Sequence, residues 1–254
     1  MNKKISEIKA EFEAADKAML NELYAKYEKD ERTGVVNLIQ KYKKQEQKLC
    51  MERERIENMR IYERKYADFS YICGIDEVGR GPLAGPVVAG AVILPKDCEI
   101  LYLNDSKKLS EKRREELYDE IMEKAIATGI GIVSPARIDE INILQATYEA
   151  MRIAIQQLET EPDLLLNDAV TIPGVTIDQV PIIKGDAKSV SIAAASIIAK
   201  VTRDRLMVWY DDVLSGYGFA SNKGYGSAEH ITALKTLGAT PIHRMSFIKN
   251  FVCD

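Results

Sequence analysis

Three apolar runs in this chain each lead into carboxylates. Ile72-Cys73-Gly74-Ile75 runs into Asp76-Glu77, Leu164-Leu165-Leu166-Asn167 into Asp168, and Pro181-Ile182-Ile183-Lys184-Gly185 into Asp186. A further run, residues 87–94, is apolar almost throughout. Strands of this kind have no solvent face, so they belong in a sheet covered by helices on both sides. The segments between them supply those helices. Ser110–Thr128 opens on an N-capping serine, and Asp139–Glu159 carries Ile141, Leu144, Tyr148, Met151, Ile155 and Leu158 in steps of three and four. Ser189–Trp209 carries Ala193, Ala194, Ala195 and Ala199, small enough to lie close against a sheet, and Ser227–Leu237 stops before Gly238. With strands at Tyr71–Ile75, Val87–Leu94, Gly129–Val133, Leu164–Asn167 and Pro181–Lys184, the order predicts a mixed-sheet α/β domain.

The first 70 residues differ in kind. They hold 16 Lys/Arg and 14 Asp/Glu, none of the eight prolines, and only Gly34 of the fifteen glycines. Ile5, Ile8, Phe12, Ala15 and Met19 share one helix face, Asp30–Gly34 reads as a break, and Val35, Leu38, Tyr42, Leu49, Ile56 and Met59 resume the rhythm. The segment reads either as a pair of packed helices or as a charged, largely solvated one. Its start alternates charged and apolar residues, unlike a signal peptide. No apolar run approaches the ~18–20 residues of a membrane span. Cys50, Cys73, Cys98 and Cys253 show no CxxC spacing, and with only His230 and His243 beside them a structural zinc site is not expected. Nor is a disulfide framework, which fits a reducing cytoplasm.

Carboxylates at strand ends, with no histidine or cysteine nearby, suit hard cations such as Mg²⁺ or Mn²⁺. Two such ions about 4 Å apart can activate a water and stabilise a leaving oxygen in phosphodiester hydrolysis. A glycosidase acid/base pair is the competing use of two carboxylates, but it needs no glycine-rich loop and no basic groups nearby. This chain has both. Gly79-Arg80-Gly81 exposes backbone that can approach a ligand, and a ribose 2′-hydroxyl is one group such backbone can read; alone, the motif is equally a tight turn before Pro82. Lys107 and Lys108 follow small polar residues and suit phosphate contacts. Lys112, Arg113, Arg114, Lys184, Lys188, Lys200, Arg203, Arg205, Lys223, His243, Arg244 and Lys249 each read, singly, as a solvated charge. Tyr225, between Gly224 and Gly226, could stack on a sugar or base.

Taken together these stretches resemble bacterial ribonuclease HII. The resemblance is carried by GIDEVGRGPLAGPVVAGAVIL (74–94), LNDSKKLSEKRREELYDEI (103–121), INILQATYEAM (141–151), KGDAKSVSIAAASIIAKVTRDRLM (184–207), NKGYGSAEH (222–230) and GATPIHRMSF (238–247). It implies a ribonuclease H-like fold, a five-stranded mixed sheet flanked by helices, with a helical C-terminal part. It also implies cleavage of the RNA strand of RNA–DNA hybrids and nicking of duplex DNA on the 5′ side of a lone ribonucleotide, leaving 3′-hydroxyl and 5′-phosphate ends. The family's catalytic, metal-holding carboxylates match Asp76, Glu77, Asp168 and Asp186. Its 2′-hydroxyl loop matches Gly79, Arg80 and Gly81, and its sugar-packing tyrosine matches Tyr225. Asn167 departs from the apolar residue commoner before the third acid, and a small packing effect is expected there.

The resulting expectation is a cytoplasmic, monomeric enzyme using Mn²⁺ or Mg²⁺. It has a helical extension over 1–70, a catalytic domain over 71–215 and a helical part over 216–254 that completes the substrate cleft. Ribonuclease HIII is the nearest rival, but Arg80 between its glycines and the helical, glycine-poor N-terminus favour HII. A non-catalytic hybrid binder would lack one of the four acids, and all are present. The net charge of −4 argues against a nucleic-acid partner only until the acids are counted as cation ligands.

Overall fold

The computed structural model describes residues 3–251. Cys253 lies outside them. The chain divides into two compact units, Met1–Arg55 and Ile56–Asp254.

The first unit contains helices α1 (Ile5–Ala14), α2 (Lys17–Tyr27) and most of α3 (Thr33–Asn58). Sequence periodicity ran α1 and α2 together. The break lies at Ala15–Asp16: Ala15 is extended, and the Asp16 carboxylate accepts from the Met19 backbone N–H at 2.9 Å, starting a new helix. Met19 therefore leaves the apolar face and is 49% exposed. Ile8, Phe12, Leu23, Tyr27, Val35 and Leu38 form a shared core, with the Phe12 ring 5.1 Å from that of Tyr42. This unit packs its own interior and is not a solvated helix.

The second unit opens with the end of α3 and the short α4 (Ile61–Lys65), then builds the sheet from β1 (Ile72–Val78), β2 (Val87–Ile93), β3 (Ala127–Val133), β4 (Leu164–Asp168) and β5 (Asp178–Ile182). Its order is β3-β2-β1-β4-β5. β1, β2 and β3 form an antiparallel meander, while β4 pairs parallel with β1 and β5 parallel with β4. Helices α5 (Glu111–Lys124), α6 (Pro135–Gln156) and α7 (Val190–Val213) flank the sheet. They are followed by α8 (Phe219–Asn222), α9 (Ala228–Leu237) and α10 (Met245–Ile248). This is the five-stranded mixed sheet flanked by helices expected from the sequence. No helix among the described residues is long and apolar enough to cross a membrane.

α7 lies against the sheet because small residues meet there. A β-carbon on Gly74 would fall 2.0 Å from the Ser191 carbonyl carbon, and one on Gly90 2.5 Å from the Ala195 oxygen. The apolar α7 sequence is thus buried along most of its length.

Several boundaries differ from the sequence reading. α5 stops at Lys124 because residues 127–133 pair with β2. α6 starts at Pro135 behind the Ser134 cap, and kinks at Asn142 (φ 68°), whose side chain recaps the helix by accepting from Leu144 and Gln145 N–H. Its buried row is Ala146, Ala150 and Ala154, and Leu144 is exposed. β5 ends at Ile182, four residues before Asp186, so this acid is not a strand end. It sits on the 3-10 turn Gly185–Ala187, entered through Lys184 in a left-handed conformation (φ 57°).

Candidate active site

Register places the first two acids. The last registered pair between β1 and β4 is Ile75 with Asn167, and one residue further brings Asp76 level with Asp168 at the carboxyl ends of parallel strands. Asp76 is only 7% exposed, and its Oδ1 accepts from the Glu77 backbone N–H at 2.8 Å. Glu77 is mostly buried and pairs with Arg80 at 3.3 Å. Asp168 Oδ1 accepts from the Gly185 backbone N–H at 2.7 Å, which draws the turn carrying Asp186 toward it. The backbone brings these acids together by different routes: two adjacent strand ends and one hydrogen-bonded turn.

Their electrostatics follow from that crowding. Burial first, then the neighbouring Glu77 and Asp168 charges, hold the Asp76 carboxyl well above the usual range, against a hydrogen bond from Ser196. Burial also raises Glu77, opposed by Arg80 and Lys107. Asp186 is raised by burial and by the Asp105 and Asp168 charges, opposed by Lys107 and Lys108. Each shift disfavours ionisation, so the group of acids gains from any cation that neutralises it. Lys107 and Lys108 are themselves exposed on the turn Ser106–Lys108. Arg114 braces that turn from below, donating to the carbonyls of Ser106 and Leu109.

The donor set is all oxygen, which fits Mg²⁺ or Mn²⁺ and not zinc. Among the described residues no three Asp, Glu, His or Cys side chains form a ready-made cage for a metal ion.

The loop after β1 is held from within. Gly79 has φ 90°, and a β-carbon there would lie 2.3 Å from Arg203 Nε, so only glycine fits. Arg203 and Arg244, both read from sequence as solvated charges, are fully buried. Arg244 donates to the carbonyls of Gly79 (2.5 Å), Arg80 (3.0 Å) and Gly85 (2.9 and 2.8 Å). Arg203 donates to Pro86, Ala84 and Lys223 carbonyls. Desolvation and the Arg203 charge push Arg244 down to about 9, which leaves it charged at neutral pH.

Tyr225 stands 44% exposed beside this loop, and a β-carbon on Gly81 would come 3.9 Å from its Cε1. Behind it lies a buried histidine pair. The Thr240 N–H donates to His243 Nδ1 at 2.9 Å, which puts the His243 proton on Nε2. That proton must then be given to His230 Nε2 at 3.0 Å, and His230 Nδ1–H to the Tyr225 carbonyl at 2.9 Å. Burial keeps both rings neutral, His243 down to about 4.

Comparison with known proteins decides what this arrangement belongs to. The sequence profile described as Ribonuclease HII matches residues 73–250, and the profile described as Ribonuclease HII N-terminal domain matches residues 4–67. The chain belongs to the ribonuclease HII family. The ribonuclease HII of Lachnoclostridium phytofermentans is 76% identical over 204 residues, 80% of each chain. That of Clostridioides difficile is 58% identical over 203 residues, 79% of this chain and 80% of the relative. The crystal structure of ribonuclease H2 from Pyrococcus horikoshii OT3 superposes with a TM-score of 0.60 at 27% identity, over 71% of this chain and 96% of that one. As a ribonuclease HII the chain is a hydrolytic endonuclease, an endoribonuclease of RNA–DNA hybrids from a divalent-metal-dependent family.

Sequence reasoning named the acids, the glycine loop and Tyr225, and missed what supports them. Arg203, Arg244, Ser196, Ser106 and the histidine pair are polar residues fully or nearly fully buried next to the site. Asp105, whose charge is felt at Asp186, is a further acid that no sequence pattern singles out. Asn167 is more than a packing variant. It is fully buried, and its Nδ2 donates to Gln179 Oε1 at 2.8 Å, while its Oδ1 has no hydrogen-bond partner among the described residues.

Proposed function

We propose that the enzyme nicks duplex DNA on the 5′ side of a single embedded ribonucleotide, as well as cutting the RNA strand of hybrids, and leaves 3′-hydroxyl and 5′-phosphate ends. Asp76, Glu77, Asp168 and Asp186 hold Mn²⁺ or Mg²⁺, and two ions are engaged once substrate is bound. Bound there, the cations would supply an activated water and charge stabilisation for the departing 3′-oxygen of the nucleotide on the 5′ side, a deoxyribose oxygen at a lone ribonucleotide and a ribose oxygen within an RNA strand. The residues do the rest. Asp76 and Asp168 set the position of the site from rigid strand ends, and Ser196 orients the Asp76 carboxylate by its hydrogen bond. Lys107 and Lys108 contact backbone phosphate. The carbonyls and amides of Gly79, Arg80 and Gly81 receive the 2′-hydroxyl, which distinguishes ribose from deoxyribose. Tyr225 packs on the neighbouring sugar and so favours an RNA-to-DNA junction.

The observation that carries this reading is the pairing of the acid cluster with the 2′-hydroxyl loop. Glu77 sits two residues before Gly79 on one continuous strand-to-loop segment, with Tyr225 beside Gly81. The chain acts as a monomer on nucleic acid in this reading. Cleavage of a duplex with one ribonucleotide, compared with an all-DNA duplex and a uniform hybrid, tests it. Equal cutting of the all-DNA duplex would mark a general nuclease instead.

A further inference from the structure

Helix α7 begins directly after the Asp186 turn, and its first residues are tied to a side chain from far away in sequence. Glu63, on α4, accepts from the Ser189 hydroxyl at 2.5 Å and from the Ser191 backbone N–H at 3.1 Å, both through Oε1. All three residues lie in the same compact unit, Ile56–Asp254. Glu63 nevertheless belongs to the stretch matched by the N-terminal-domain profile.

The hydrogen bonds continue past Ser189. Its backbone N–H donates to the Gly185 carbonyl at 2.9 Å, and the Gly185 N–H donates to Asp168 Oδ1 at 2.7 Å. Asp186 lies between these two anchor points. A chain of bonds therefore runs from Glu63 through Ser189 and Gly185 to Asp168, and it encloses the turn that carries the fourth acid.

Glu63 takes up the Ser191 N–H of the first turn, and it also reaches the residue that caps the helix. α7 already has its N-cap: Ser189 Oγ accepts from the Ile192 N–H at 3.2 Å. Glu63 acts on the capping hydroxyl itself and fixes its direction. The side chain is costly there, because its Oε2 is buried without a hydrogen-bond partner among the described residues. It sits at the amino end of a long helix, next to the turn that carries Asp186.

We propose that Glu63 is a positioning residue for the metal site, locking the Gly185–Ser189 turn so that Asp186 and Asp168 present their carboxylates in register to a divalent cation. This gives the last helix of the N-terminal stretch a part in catalysis. The inference rests on the assignment of Asp168 and Asp186 as cation ligands, and the test separates the two claims.

Mn²⁺ binding to the full chain is measured by titration calorimetry, without nucleic acid, for the unaltered protein and for Glu63→Ala, Glu63→Asp, Ser189→Ala and Asp186→Asn. Thermal unfolding of each runs alongside. Outer-shell partners of metal ligands are worth about 10–100-fold in affinity, and Glu63 acts at two removes, so Glu63→Ala and Ser189→Ala should each weaken Mn²⁺ by about tenfold. A Glu63→Ala, Ser189→Ala double variant should lose less than the product of the two single effects, because both remove the bond between Glu63 and Ser189 while each also removes one bond of its own. Glu63→Asp keeps the charge but withdraws from Ser189, and it should weaken Mn²⁺ as well. Glu63→Asp and Ser189→Ala decide the question even where Glu63→Ala does not fold. Folded variants of Glu63 and Ser189 that bind Mn²⁺ as the unaltered protein does, beside an Asp186→Asn that binds poorly, overturn the role of Glu63 alone. An Asp186→Asn that binds Mn²⁺ normally overturns the ligand assignment and the inference with it.

Discussion

Replacing Arg244 with lysine keeps the positive charge and removes the fork. The guanidinium makes four hydrogen bonds to three carbonyls, those of Gly79, Arg80 and Gly85, in a fully buried setting. A lysine has a single nitrogen and can serve one or two of these oxygens. One or two buried carbonyls then lose their donor, at about 1–3 kcal/mol each, for a total of roughly 1–6 kcal/mol. Urea unfolding followed by the fluorescence of Trp209, the sole tryptophan and a residue of the same compact unit, measures the loss. The same change frees the loop that receives the 2′-hydroxyl. Misplacement of a binding group by about 1 Å can cost on the order of a hundredfold in rate, so kcat/KM on a single-ribonucleotide duplex should fall by that order. Mn²⁺ affinity should hold, because the acids are positioned by strands and by Gly185. A folded Arg244→Lys that loses less than about 1 kcal/mol and cleaves normally would refute the claim that this arginine holds the loop.

Other outcomes follow from the same geometry. Tyr225→Ala should lower cleavage at a single-ribonucleotide junction more than cleavage of a uniform hybrid, and an equal loss on both would remove its junction role. Asp76→Asn should raise the unfolding midpoint at neutral pH when divalent cation is absent, and should abolish cleavage when it is present. The Asp76 carboxyl is raised in the folded state, so ionising it costs stability as pH rises above its ordinary value of 3.8. The gain should therefore fade as pH falls toward that value, which a pH series of melting curves shows. The histidine pair works in the opposite direction. His243 is lowered from 6.5 to about 4, so between those values the unfolded chain binds more protons and stability falls with falling pH. Over that window the loss approaches roughly 3 kcal/mol, and His243→Gln should flatten the slope.

The parts of this molecule legible in sequence are those that repeat a local rule. Apolar strands, the serine cap of α5 and the acid that ends β4 all announce themselves within a few residues, whereas Asp76 and Glu77, expected just after a strand ending at Ile75, lie inside β1 because it stays paired with β2 as far as Val78. What stayed hidden depends on distant partners. Arg203 and Arg244 look like any surface arginine until the fold surrounds them with backbone carbonyls. Asp186 looks like a strand end because Ile182 and Ile183 precede it. Yet Ile183 is exposed, and the carboxylate is delivered by a turn hung on Asp168. In the first unit the density of charge suits packed and solvated helices alike, and Asp16 interrupts a helical rhythm that Met19 continues by coincidence. Its aromatic core around Phe12 is built from residues as far away as Tyr42, which periodicity alone does not join.

The central claim is that the four carboxylates, acting with divalent cations, direct hydrolysis to the 5′ side of a ribonucleotide. Its most direct test is cleavage of an end-labelled duplex holding one ribonucleotide, in Mn²⁺ and in Mg²⁺, with the product ends mapped. The account predicts a single nick 5′ of the ribonucleotide with 3′-hydroxyl and 5′-phosphate ends, no cutting of the matching all-DNA duplex, and no cutting by Asp76→Asn with either metal. Normal turnover by Asp76→Asn in Mn²⁺, or equal cutting of the all-DNA duplex, would contradict it.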